Sequence, residues 1–113
     1  MTITNLSQRT LLASQAVLAS TTIQRMQGLL GRKSLPSGEA LIIANCQSIH
    51  MMFMKFPIDV IFIDKKGKVI GLCSNIQPFC FSPIFFKAYQ AIELPSGTIL
   101  QSKTALGDLL QIS

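Results

Sequence analysis

The sequence predicts an α+β domain, a mostly antiparallel β-sheet rolled toward a barrel, with one amino-terminal-half helix and a short carboxyl-terminal helical turn. Three observations carry this. "PIDVIFID" (57–64) is apolar on both alternating faces, which suits a buried strand. "DKKG" (64–67) then turns the chain, with Gly67 supplying positive φ, into "KVIGLC" (68–73) as the partner strand. Finally, Thr21-x-x-Gln24 forms a capping box ahead of Ile23, Met26 and Leu30 at helical spacing. That predicts a helix over about 21–30, ended by Gly31.

The remaining elements follow in order. The opening "MTITNLSQRTLLASQAVLAS" lacks a basic start, and Ser14 and Gln15 break its apolar part, so it makes a poor signal peptide. Gly28, inside the predicted helix, costs about 1 kcal/mol against Ala and so marks a close packing contact. "LPSGEA" is a turn and "ALIIAN" (40–45) a strand. "NIQPFCFSPIFF" (75–86) carries Pro78 and Pro83 in an aromatic-rich run, which makes it a structured loop and not a central strand. "KAYQAIEL" (87–94) alternates like a strand and "PSG" closes it. A helical turn near 98–103 and a last strand, "GDLLQI" (107–112), complete one domain over residues 1–113, without linker or repeat.

Composition excludes several classes. Ten basic and five acidic residues give a net charge of +5, but the basic ones are scattered, and "DKKGK" (64–68) reads as a solvated turn. Nucleic-acid binding is therefore not expected, the less so with one Tyr and no Trp to stack bases. No stretch approaches the roughly 20 apolar residues of a membrane-spanning helix. Three cysteines without paired spacing make no disulfide framework, and the expected location is the cytoplasm.

"QRMQGLLGRKSL", "HMMFMKFPIDVIFIDKKGKVI", "AIELPSG" and the late "GD" resemble, in order and spacing, the pattern of the domain of unknown function 192 family. The likeness runs over roughly residues 10 to 112. It implies a compact, mostly β fold and no reaction. Met52-Phe53 stands where Phe-Trp is usual in that family, and Phe56 where Asn is common.

Within this frame the candidate functional residues are few. Cys46 and His50 are four apart; on a strand they would stand roughly 13 Å apart, on a helix about 6 Å. The strand-like sequence that follows favours the former, and neither Cys73 nor Cys80 adds ligand-pair spacing, so no metal or cofactor is expected. Asp59 lies between Ile58 and Val60, where an unpaired carboxylate would be driven to neutrality. It needs backbone N–H groups or a salt bridge, with Lys55 and Arg32 as the candidate cations, unless it anchors a ligand polar group. Glu93 presents the same choice. Met51, Met52 and Met54 are adaptable packing residues that form a binding surface if exposed. The expected function is a non-catalytic ligand-binding or protein-interaction module for a small ligand or a protein partner. Its groove would be formed by Met52, Met54, Phe56 and the Phe-rich loop, with Arg32, Lys55 and Asp59 as polar rim. The alternative is an enzyme or metal-dependent module using Cys46 and His50. Replacing both of these with Ala should leave the metal content of chelator-free protein unchanged by elemental analysis; a stoichiometric metal lost in the variant would establish the alternative.

Overall fold

In a computed structural model, which describes residues 1–19, 29 and 31–113, the described chain is mostly β, with eight strands and one short helix. The strands are β1 (Ile3–Asn5), β2 (Thr10–Ala13), β3 (Gln15–Ala19), β4 (Glu39–Ala44), β5 (Ile58–Ile63), β6 (Val69–Ile76), β7 (Gln90–Pro95) and β8 (Leu110–Ile112); the helix, α1, is Thr98–Ser102. They form a three-stranded sheet, β2-β1-β8, and a five-stranded sheet, β3-β4-β7-β5-β6. Every pairing is antiparallel except β3 with β4. Neither sheet closes on itself among the described residues, and what the structure supports is a mostly β domain of two packed sheets. The helix expected over about 21–30 lies outside the described residues.

The five-stranded sheet is the centre of the molecule because both its faces are covered. Residues at alternate positions of β5 serve two separate apolar clusters. Ile61 and Ile63 pack with Ile42, Ile92 and Leu94 against Ile3, Leu12, Leu110 and Ile99, that is, against the small sheet and α1. Ile58, Val60 and Phe62 pack on the other side with Leu35, Ile49, Met51 and Met54. All six residues of β5 are buried, which is why its sequence is apolar on both faces. The hairpin read from "DKKG" forms as expected: β5 pairs with β6, and Gly67 has φ +86°. A side chain at Gly67 would also strike the Leu110 carbonyl at 2.5 Å, because β8 closes over the turn through Leu110 N–H to Gly67 O at 2.8 Å.

The first three strands were not legible in the sequence. β1 and β2 are short and β3 leaves Val17 and Leu18 exposed, so their apolar pattern is weak in isolation. Tertiary bonds specify them instead. Buried Asn5 donates to Thr104 Oγ1 and Asp108 Oδ2, both at 3.0 Å, tying β1 to the approach to β8. The Asn5 amide, then the Ala105 N–H and Gln8, hold the Asp108 carboxyl below the usual carboxylate range despite its burial.

Asp59 lies at the junction of four elements. It is 1% exposed, yet fully partnered by backbone: it accepts from Asn75 N–H at 2.7 Å, Gly97 N–H at 3.1 Å and Ile99 N–H at 2.8 Å. The register between β5 and β6 shifts between Ile58 and Val60, and Asn75 takes a left-handed φ of 51°, which turns its N–H onto the carboxylate. The amides of Gly97 and Ile99 are unsatisfied groups at the start of α1, whose own cap position offers no side-chain bond. Asp59 supplies that cap from a neighbouring strand. The expected backbone partners are thus present, while neither Lys55 nor Arg32 pairs with it. Asp59→Ala should cost about 3–5 kcal/mol, since it leaves buried amides without acceptors. Urea unfolding checks this, and a loss below about 1 kcal/mol would show that water replaces the carboxylate.

Candidate functional site

The face of the central sheet away from the small sheet is covered by two long loops, residues 45–57 and 77–89, which bond to each other. Reading from one end, Asn45 N–H donates to Tyr89 O at 2.8 Å, Phe85 N–H to Gln47 O at 2.8 Å and Ser82 N–H to Ile49 O at 2.9 Å. Met51 N–H then meets Cys80 O at 2.8 Å and Phe79 N–H meets Met51 O at 2.7 Å, with His50 and Phe81 in an isolated bridge between them. Prolines and turns keep this from becoming a ladder, but the order is nearly that of paired strands. The layer is fastened to the sheet at Phe85, whose ring lies 4.6 Å from that of Phe62 and directly over Gly71. A Cβ at Gly71 would stand 2.5 Å from the Phe85 ring, so only glycine lets the loop lie this close to β6.

The expected site residues do not converge on one groove. Met54 is buried, Met52 half-buried and Lys55 exposed, all within the first loop. Arg32 is exposed and pairs with Glu39 at 3.3 Å, at the start of β4. Asp59 points to the opposite side of the sheet and is buried, so it is no part of a rim. Cys46 and His50 sit in the loop and not on a strand, so the strand geometry behind the 13 Å spacing does not apply. The backbone bends at Asn45 (φ 52°) and Phe53 (φ 65°), and its amides bond across to the second loop. Cys46 donates to the Ser48 carbonyl at 3.1 Å, and the imidazole of His50 is exposed. Burial pushes the Cys73 thiol up, away from reactivity. Among the described residues no three His, Cys, Asp or Glu side chains gather as metal ligands.

What the loops expose is aromatic. Phe53 is 72% exposed, Phe81 70% and Phe86 85%, with Phe79 and Ile84 also open to solvent. Phe53 and Phe79 make an edge contact with centroids 6.0 Å apart, and both have a left-handed φ of 65°. Such a conformation is rare for a bulky side chain and is held only by surrounding bonds.

Glu93 differs from Asp59 in each respect. It pairs with Val60 on β5 and Leu41 on β4, which places it on the loop-covered face. The two carboxylates therefore point to opposite sides of the sheet. Glu93 is 6% exposed, and its Oε2 has no hydrogen-bond partner among the described residues. Burial alone raises its pKa to about 7.

This fold and its loop layer define a class of small two-sheet β domains. A family model, DUF192 (Uncharacterized ACR), matches residues 3–112, and the chain belongs to that family. Solved structures with the same fold include a protein of unknown function from Novosphingobium aromaticivorans. It is 22% identical with a TM-score of 0.83, over 98% of this chain and 82% of that one. Another, described as a candidate transcription regulator from Sinorhizobium meliloti, is 21% identical with a TM-score of 0.78, over 97% and 89% of the two chains. No curated protein matches the chain. Among the described residues no helix is long and apolar enough to cross a membrane. Two of the chain segments that carry the resemblance are joined here, since Gly97 of "AIELPSG" donates its N–H to Asp59 of "FPIDVIFID".

The state of Glu93 predicts a pH dependence. Its proton is bound more tightly in the folded chain than in the unfolded one, so its contribution is complete below about pH 4.5 and declines as pH rises to about 7. The decline amounts to roughly 3 kcal/mol. Urea unfolding from pH 4.5 to 8 should show it in the wild type and not in Glu93→Gln. Superimposable profiles would mean the carboxyl finds a donor when ionised.

Proposed function

We propose that the protein is a non-catalytic interaction module and that Phe53, Phe79 and Phe81, at the far end of the loop layer, seat an apolar segment of a protein partner. The observation that carries this is the Phe53–Phe79 pair, two exposed rings in contact, each on strained backbone. Strain of this kind costs of order 1–3 kcal/mol per residue and persists where a conformation is needed for a purpose other than stability. Large exposed aromatics held rigid in advance are what protein interfaces use as anchors, because little conformational freedom remains to be lost on binding. Within residues 45–57 and 77–86 Lys55 is the one Lys, Arg, Asp or Glu, which favours an apolar protein segment over an anionic lipid surface. In this reading the Met-rich first loop is mostly packing under the rings, and the polar rim is His50 and Lys55, without Arg32 or Asp59.

The test separates stability from binding. Phe53→Asn combined with Phe79→Asn places residues that tolerate left-handed backbone at both sites. The double variant should be as stable as the wild type or more so, by up to about 1 kcal/mol per site. Peptides selected by display against the wild type should carry aromatic or aliphatic anchors and bind the variant at least tenfold more weakly. Selected peptides that bind both proteins equally, or binding to neutral lipid vesicles in their place, would overturn the proposal.

A further inference from the structure

Four of the chain's ten basic residues line one open cleft of about 710 Å³, at the end of the loop layer opposite the Phe53–Phe79 pair. Lys65, Lys66 and Lys68 come from the β5–β6 turn, and Lys87 from the second loop as it enters β7; all four are exposed. Phe86 and Tyr89 are the cleft's aromatic walls, and Asn45 and Gln47 line it as well. Two backbone bonds make this convergence. Tyr89 N–H donates to Ile63 O at 2.8 Å and sets the loop beside the turn, while Asn45 N–H donates to Tyr89 O at 2.8 Å and brings in the end of β4.

The charge in the cleft is little compensated. Its one acid, Asp64, is committed to the turn, where its Oδ1 accepts from the Lys66 and Lys68 amides at 2.9 and 3.0 Å. Of the chain's other acids, Asp59, Glu93 and Asp108 are buried and Glu39 is paired with Arg32. The lysines are interleaved with rings: Lys65 Nζ lies 6.0 Å from the Tyr89 centroid, and the Phe86 ring is open to solvent. Scattered lysines are a solvated surface, but lysines gathered in a concave site with exposed ring faces are the chemistry that holds phosphates and stacks planar bases. The cleft's size is that of a site for one small ligand or a short stretch of a polymer.

We propose that this cleft binds a phosphorylated nucleobase, with phosphate on Lys66, Lys68 and Lys87 and the base against Phe86 or Tyr89. A free nucleotide and a single strand of nucleic acid present the same chemistry and are two sources of it. The proposal is independent of the partner assigned to the phenylalanine end and concerns none of the same residues.

Fluorescence anisotropy and calorimetry on the full chain test it, using an eight-nucleotide oligothymidylate, adenosine monophosphate and triphosphate, inorganic polyphosphate, and vesicles with one-fifth phosphatidylglycerol. Lys66→Gln with Lys68→Gln should weaken nucleotide or strand binding at least tenfold. For a strand it should also lower the logarithmic salt slope by about 1.4, the share of two phosphate contacts. Phe86→Ala should weaken binding about five- to tenfold without changing that slope, as a stacking contact would. All of these side chains are exposed, so melting temperatures should stay within a few degrees of the wild type. Equal affinity for mononucleotide and oligonucleotide assigns the free nucleotide; a strand preference of tenfold or more assigns the strand. Polyphosphate bound as tightly as either, with Phe86→Ala silent, overturns the proposal in favour of a bare polyanion site. Binding to the vesicles alone, or to none of the probes at low salt, also overturns it.

Discussion

The carboxylate of Asp59 is the interaction on which the rest of the structure depends. Three separate requirements meet on its two oxygens: the bulge in β6 must have a partner for the Asn75 amide, the turn after β7 must be closed, and α1 must be capped. A five-residue helix has almost no stability of its own, since nucleation is unfavourable and few bonds follow it. Here its first amides are satisfied by a residue fixed in the central strand, so helix, turn and sheet form together or not at all. Ile99 is thereby placed over the core that joins the two sheets. An apolar isostere at position 59 would pack as well but would orphan the amides, which explains a charged residue in the middle of an otherwise apolar strand.

The same sheet carries a second buried carboxyl under opposite conditions. Glu93 lies among Leu41, Val60 and the loop residues with one oxygen lacking a hydrogen-bond partner among the described residues, and burial raises its pKa to about 7. Asp59 sits where backbone is irregular and amides are available; Glu93 sits mid-strand, where the neighbouring amides are already engaged in the ladder. The physical difference is the supply of donors and not the depth of burial. The loop layer lies directly over the face that it occupies.

Much of the fold was legible because β5, β6 and β7 have strong local signals. "PIDVIFID" forms a strand buried on both faces, "DKKG" forms the turn it spells, and the proline-bearing run 75–86 is a loop after its first two residues, which extend β6. The need of Asp59 for a partner was also legible, because an unpaired charge between Ile58 and Val60 is too costly to exist; that backbone amides and not Lys55 or Arg32 would supply it was not. β1, β2 and β3 were not, since short edge strands with mixed exposure draw their register from long-range bonds such as Asn5 to Asp108. The expected groove, with Met52, Met54 and Phe56 beside a rim of Arg32, Lys55 and Asp59, and with Glu93 as a further candidate, had no register to place its members. The sheet sends Asp59 and Glu93 to opposite faces and gives Arg32 to Glu39, so these candidates do not converge in space. The lysine cleft failed to register for the converse reason. Residues 64–68 and 86–89 meet where β5 pairs with β7 and Tyr89 bonds to Ile63, which no spacing rule foresees.

The loop layer shows why binding surfaces in this fold belong on loops. β5 is saturated on both sides, and the centre of the five-stranded sheet has no face left for a partner. Only a segment that is irregular, yet fixed, can present side chains outward. Gly71 supplies the fixation by admitting the Phe85 ring, and the cross-loop amide bonds extend that rigidity along the whole layer. Its two ends then diverge in chemistry: strained, uncharged rings at Phe53 and Phe79, and rings among lysines at Phe86 and Tyr89. The first chemistry rewards exclusion of water and the second rewards neutralisation of charge. One anchored scaffold can carry both because the exposed rings and lysines at its two ends are not part of the core beneath it.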